Sequence, residues 1–161
     1  MSKDLQIIKE LEETLNIEIP EIEKKVFHHY SVAYNLNDQK EVIYLSLSEC
    51  GVQNKDLELI GGLTSLKWLK LSNNQITKIK GLDGLTSLEV LYLNDNKISK
   101  IEGLDSLASL EWLCLSGNEI TKIEGLNGLT SLKWLNLSSN EIPEKEINQF
   151  KTNNPDIKLY V

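Results

Sequence analysis

The 161-residue chain contains no arginine: its 17 basic residues are all lysine, set against 24 acidic residues for a net charge of −7. Without a guanidinium there is no planar fork for phosphate or the guanine edge, so a nucleic-acid partner is not expected. Cysteine is scarce as well. Cys50 and Cys114 are too few for a disulfide framework and fit a reducing compartment. The opening MSKDLQIIKELEETLNIE carries acids throughout and no uninterrupted apolar run, which reads as neither a signal peptide nor a membrane span. With Met1 as the true start, the expected location is cytoplasmic, without membrane insertion. No set of nucleophile, base and orienting group is legible, so no catalytic residue and no cofactor is assigned.

Metal ligation has equally little support. His28 and His29 are adjacent, so they point to opposite faces of a strand or about 100° apart on a helix. Asn35, Asn37 and Gln39 have the spacing of a calcium loop, but Lys40 stands where such a loop needs glycine. Paired acids such as Glu12 with Glu13, Glu21 with Glu23 and Glu144 with Glu146 read as solvated faces or turns.

What the chain does have is a repeat. Four evenly spaced segments align without a gap, starting at Leu63, Leu85, Leu107 and Leu129. Leucine recurs at 66, 88, 110 and 132, at 69, 91, 113 and 135, and at 71, 93, 115 and 137. Each unit changes from alternation (Leu69, Lys70, Leu71) to apolar residues about three apart (Ile76, Ile79, Leu82, Leu85). A short strand followed by a tight or 3₁₀ return has that signature. One such unit cannot cover its own apolar face, and stacking on neighbours does so. Asparagine recurs at Asn74, Asn96, Asn118 and Asn140. At a buried strand exit an amide can donate to and accept from adjacent turns, so these four are read as a structural ladder.

The pattern LxxLxLxxN followed by IxxIxGL resembles the leucine-rich repeat, in the 22-residue form of bacterial internalins and of protein-phosphatase-1 regulatory proteins. The resemblance covers residues 42–161. It implies an α/β solenoid, a horseshoe with a parallel concave β-sheet, a 3₁₀ or turn-rich convex side and a cap at each end. The unit from Val42 departs by being slightly longer than the others and by having Cys50 in the asparagine place. That substitution is known in the family, so a buried structural thiol is implied there.

The organisation expected is an N-terminal capping region over 1–41, repeats over 42–142 and a C-terminal cap over 143–161. Residues 2–16 show helical spacing at Leu5, Ile8, Leu11 and Leu15, with Pro20 beyond the end. Residues 31–36 alternate before a turn at Asn37 and Asp38. This start also resembles the leucine-rich domain of bacterial Roco proteins, although the chain has no GxxxxGK[ST] loop for GTP. After Pro143, EKEINQF is expected to turn one helix with Ile147 and Phe150 inward. DIKLYV should form a final strand, with Ile157 and Leu159 one repeat period beyond Leu135 and Leu137.

Residues flanking the core leucines of each strand must face outward. One row runs Tyr44, Trp68, Val90, Trp112 and Trp134 and takes in all 3 tryptophans. Its neighbour runs Ser46, Lys70, Tyr92, Cys114 and Asn136, with Lys67, Glu89, Glu111 and Lys133 on one flank and Ser72, Asp95 and Ser139 on the other. A line of outward indoles suits an interface; the competing explanation is that duplication copied a WL dipeptide whose rings pack on one another. Cys114 is expected to be free and accessible, three strands from Cys50 and beyond disulfide reach. The expected function is a non-catalytic module binding a protein or peptide through Tyr44, Trp68, Lys70, Val90, Tyr92, Trp112, Trp134 and Asn136. Carbohydrate binding or adhesion, and regulation of a phosphatase or GTPase, are alternatives, and the ridge would also permit self-association.

Overall fold

The computed structural model describes residues 2–22 and 31–161; His28 and His29 lie outside them. Helix α1 spans Lys3–Leu15. The Ser2 hydroxyl accepts from Leu5 N–H at its start, and Asn16 ends it in the left-handed conformation at φ 53°. Ile7, Ile8 and Leu11 are its buried stripe. Strand β1 (Val32–Leu36) then pairs antiparallel with β2 (Val42–Leu47), and Asn37 shapes the turn by accepting from the N–H groups of Gln39 and Glu41. Asn37 thus fixes the backbone of the turn.

From β2 onward every pairing is parallel: β3 (Trp68–Lys70), β4 (Val90–Tyr92), β5 (Trp112–Cys114), β6 (Trp134–Asn136) and β7 (Lys158–Tyr160) follow in order within one sheet of seven strands. The leucine ladders line one continuous core, with Leu69, Leu91, Leu113 and Leu135 fully buried behind the sheet. Each contributes on the order of 1.5–3 kcal/mol by leaving water. The return path is made of single tight turns, in which Leu85, Leu88, Leu107 and Leu110 donate three residues back to Leu82, Leu85, Leu104 and Leu107. Glycine is required along it. Gly103 and Gly125 have φ of +68° and +70°, and a Cβ on either would meet the carbonyl oxygen of the preceding unit, Ile79 or Ile101, at 2.2 and 2.1 Å.

The asparagine side chains bridge successive turns of the solenoid. Asn96 accepts from Ile76 N–H and donates to the carbonyls of Leu71 and Leu93; Asn118 repeats this with Ile98, Leu93 and Leu115. Asn74 accepts from the N–H groups of both Cys50 and Val52. Asn140, the last rung, makes the same bonds from a part-exposed position. Cys50 is half-buried, its thiol bonded to Ser48 O at 3.3 Å, and burial, with Glu49 adding to it, raises its pKa above the ordinary thiol value.

Two expectations need correction at the ends, and one element there has no counterpart among them. The first unit contains a helix that alternation does not suggest, α2 (Asn54–Ile60), with Leu57 and Ile60 buried. Helix α3 runs over Glu144–Asn153 and buries no residue; Phe150 reaches the core edge, while Ile147 stays half-exposed. The final strand is also shifted: Leu159 pairs with Leu135 and Lys158 with Trp134. The last unit is therefore longer than the inner ones, by the same margin as the first unit from Tyr44 to Trp68. The reason is common to both. A helix advances only about 1.5 Å per residue, so a helical return needs more residues than a turn to cover the same distance.

Candidate functional site

The parallel register aligns the residues of two rows across the sheet. Tyr44, Trp68, Val90, Trp112 and Trp134 are opposite one another in succession, as are Ser46, Lys70, Tyr92, Cys114 and Asn136. Strand β7 extends both, with Lys158 in the first and Tyr160 in the second. Sequence reasoning misses those two because it gives the last unit the length of the inner repeats. The signal is present all the same, as an alternating KLY like the WLK, VLY and WLC of the inner strands.

The rings fall into two stacks. Tyr44 is 6.3 Å from Trp68, and Trp68 lies 6.4 Å from Tyr92 at an interplanar angle of 17°. Trp112 and Trp134 stack at 5.1 Å, Trp134 and Tyr160 at 6.2 Å and 12°. The Lys158 ammonium sits 4.3 Å from the Trp134 ring centroid. Among the described residues no ring contact joins the two stacks, and Val90 lies between them. Trp112 and Trp134 therefore do pack on one another, as the copying explanation requires, while Trp68 packs on Tyr44 and Tyr92. Copying alone does not account for Trp112 Nε1, which is buried without a hydrogen-bond acceptor; such an omission costs on the order of 1–3 kcal/mol.

Exposure separates the candidates. Trp68, Lys70, Val90, Tyr92, Trp112, Trp134 and Asn136 are half-buried and reachable. Tyr44 is only 1% exposed, so it supports Trp68 rather than presenting a surface of its own. Cys114, expected to be accessible, is 7% exposed. It is a short side chain set between Tyr92 and Asn136 on the adjacent strands, and its sulfur lies 3.4 Å from the Ser116 hydroxyl. Burial, with Cys114 adding to it, raises the Tyr92 phenol above its usual pKa, which keeps it a neutral donor. Asn136 is partly committed, accepting from Ser138 N–H at 3.0 Å and from the Ser138 hydroxyl.

Charge is ordered along the flank. Lys67 bonds Glu89 at 2.8 Å and Lys133 bonds Glu111 at 2.7 Å, each through the Oε1 atom of its acid. Across β3 to β6 the signs therefore run plus, minus, minus, plus. The bond to Glu89, followed by its charge, holds the Lys67 ammonium above the ordinary lysine pKa. Elsewhere, among the described residues, no group of three or more His, Cys, Asp or Glu is placed to hold a metal ion, and no helix is long and apolar enough to cross a membrane.

Known proteins sharpen this picture. The family model for leucine-rich repeats in two copies matches residues 64–106 and 108–151. Among solved structures the chain resembles TLR13 in its complex with ssRNA13, at 34% identity and a TM-score of 0.57, over 64% of this chain and 16% of that one. It also resembles the functional domain of InlJ from Listeria monocytogenes (21% identity, TM-score 0.56, 80% of this chain and 30% of that one). A leucine-rich-repeat protein of Leptospira interrogans matches at 22% identity and a TM-score of 0.53, over 94% of this chain and 39% of that one. The chain thus spans well under half the length of each of these three, and no curated protein matches it. With the repeat register, the asparagine ladder and a family match over more than half its length, the chain belongs to the leucine-rich-repeat proteins.

Proposed function

We propose that this chain is a non-catalytic interaction module whose concave sheet face binds a protein or peptide, with Trp68, Tyr92, Trp112 and Trp134 as anchors. The family's fold generally serves as an interaction scaffold, which supports the coarse part of this reading. The finer part rests on one observation: four half-buried aromatic side chains lie on a single sheet face, arranged in two stacks and flanked by ordered charge. Aromatic groups held rigid by stacking lose little entropy on binding and make favoured hot spots. The RNA bound in the TLR13 complex does not carry over, because this chain has no arginine and a net charge of −7.

The test is a selection of random peptides displayed on phage against the wild-type chain, followed by affinity measurement on a variant with Trp68, Trp112 and Trp134 all changed to Ala. With anchors worth about 2 kcal/mol each, the variant should bind the selected peptides at least thirtyfold more weakly. Peptides that bind both proteins alike, with the variant's fold verified by circular dichroism, would overturn the assignment.

A further inference from the structure

We propose that the open edge of strand β7 pairs antiparallel with β7 of a second copy of this chain, joining two seven-stranded sheets across a two-fold axis. The two edges of the sheet are in different states. At the first, the chain covers itself: Tyr34 of β1 donates its N–H to Pro20 O and accepts from Ile22 N–H, which occupies the outward backbone groups in the middle of that strand. At the other, no strand among the described residues lies beyond β7. Lys158 N–H donates to Lys133 O and Tyr160 O accepts from Leu137 N–H, so these two residues turn their backbone groups toward β6. By alternation along the strand, Leu159 turns its N–H and C=O the opposite way, out of the sheet.

Exposed apolar surface is gathered at the same edge. Tyr160 and Val161, at 39% and 50%, are the exposed large hydrophobic residues among those described. An uncovered strand with apolar side chains is a template for another strand. The covered edge then selects which strand. Head-to-tail stacking would need the outer side of β1, which residues 20–22 already occupy, so the free edge that a second copy brings is its own β7.

Residues 157–161 are complementary to themselves when reversed. With Leu159 opposite Leu159 of the copy, the two residues exchange both N–H···O bonds. Lys158 then stands opposite Tyr160 of the copy and Ile157 opposite Val161, so apolar side chains meet on the core side and no lysine faces a lysine on the concave side. A parallel pairing in the same register would set Lys158 against Lys158 and one Leu159 N–H against the other. Helix α3, in the return that leads into β7, is reversed by the same axis. Its acidic first turn, with Glu144 and Glu146, is thereby directed to the side of the copy's basic last turn, with Lys151. Both concave faces open to the same side of the joined sheet.

The experiment sediments the full chain from about 5 µM to about 1 mM and follows the Leu159 amide by hydrogen exchange at both ends of that range. The chain should pass from monomer to dimer, and the Leu159 N–H should exchange at least tenfold more slowly at the high concentration than at the low one. In a sample mixing labelled and unlabelled chains, a cross-peak between Lys158 Hα of one copy and Tyr160 Hα of the other should report the antiparallel register, because residues of a non-hydrogen-bonded pair lie closest. Val161→Glu changes an exposed side chain and leaves the bonds between β6 and β7 in place, and it should raise the dimer dissociation constant at least tenfold. A chain that stays monomeric at the highest concentration would overturn the proposal. So would a dimer that Val161→Glu does not weaken, or one in which the Leu159 N–H remains unprotected.

Discussion

The first and last units of the solenoid are both longer than the inner repeats and both make their return with a helix, yet they leave the core in different conditions. Helix α2 buries Leu57 and Ile60 completely because α1 lies over it, bringing in Ile7, Ile8 and Leu11. No element covers α3 in the same way among the described residues. Next to it the ladder loosens: Leu129 and Leu132 are 5% and 7% exposed where Leu85 and Leu88 are at 0%, and Ile123 and Leu126 are only half-buried. A groove of about 780 Å³ remains between that last return and α3, lined by Leu126, Phe150 and Ile157 among others. The difference teaches that a helix in the terminal unit does not by itself make a cap; a second layer does, by giving the helix something apolar to face on both sides.

The largest effect should come from cutting into each layer. Leu11→Ala removes a fully buried side chain and should cost about 3–4 kcal/mol in urea unfolding. Phe150→Ala removes a larger side chain that is only partly buried, and should cost about 1–2 kcal/mol. Equal losses at the two positions would break the contrast between the ends.

A second measurement compares rungs of the asparagine ladder. Asn96→Ala strands the Ile76 N–H and the carbonyls of Leu71 and Leu93 inside the core, for a loss of about 2–3 kcal/mol. Asn140→Ala frees equivalent groups at a part-exposed position where water can replace the amide, so about 1 kcal/mol is expected. If both variants lost the same amount, the C-terminal end would be as dry as the middle.

The interior was legible because its physics is periodic. The recurrence of Leu69 and Leu71 fixes strand and register, and a buried amide at Asn74, Asn96 and Asn118 has few uses other than bridging turns. The ends were not, since each occurs once and has no neighbour to be aligned with. Helix α2 hides in NKDLELI, where the inward residues Asp56, Leu57 and Ile60 include a charged one, and the shift of β7 hides behind a plausible continuation of the inner period. At the candidate site, alternation identified the outward rows but not exposure. Tyr44 and Cys114 are buried although their places in the alternation point outward, which no single strand's pattern reports. The break between Tyr92 and Trp112 and the use of Lys158 over Trp134 likewise arise only when strands come together.

The smallest effect concerns the backbone just after each strand. Glu49, Asn73, Asp95, Gly117 and Ser139 occupy equivalent places and all have positive φ, between 55° and 63°. Glycine adopts that conformation freely, whereas a residue with a Cβ is strained there. Gly117→Ala should therefore cost about 1 kcal/mol, the more so because its Cβ would fall 2.4 Å from Asp95 Oδ1 and displace that side chain. Ser139→Gly relieves the same strain at the C-terminal end and should gain about half a kcal/mol, net of the extra freedom glycine has when unfolded. The two substitutions are near mirror images, so urea unfolding of both tests whether the loosened end is coupled to the rest. If the last unit frays before the solenoid unfolds, Ser139→Gly will slow amide exchange in β7 and leave the main transition where it was. If the solenoid unfolds as one body, the gain will appear in the main transition.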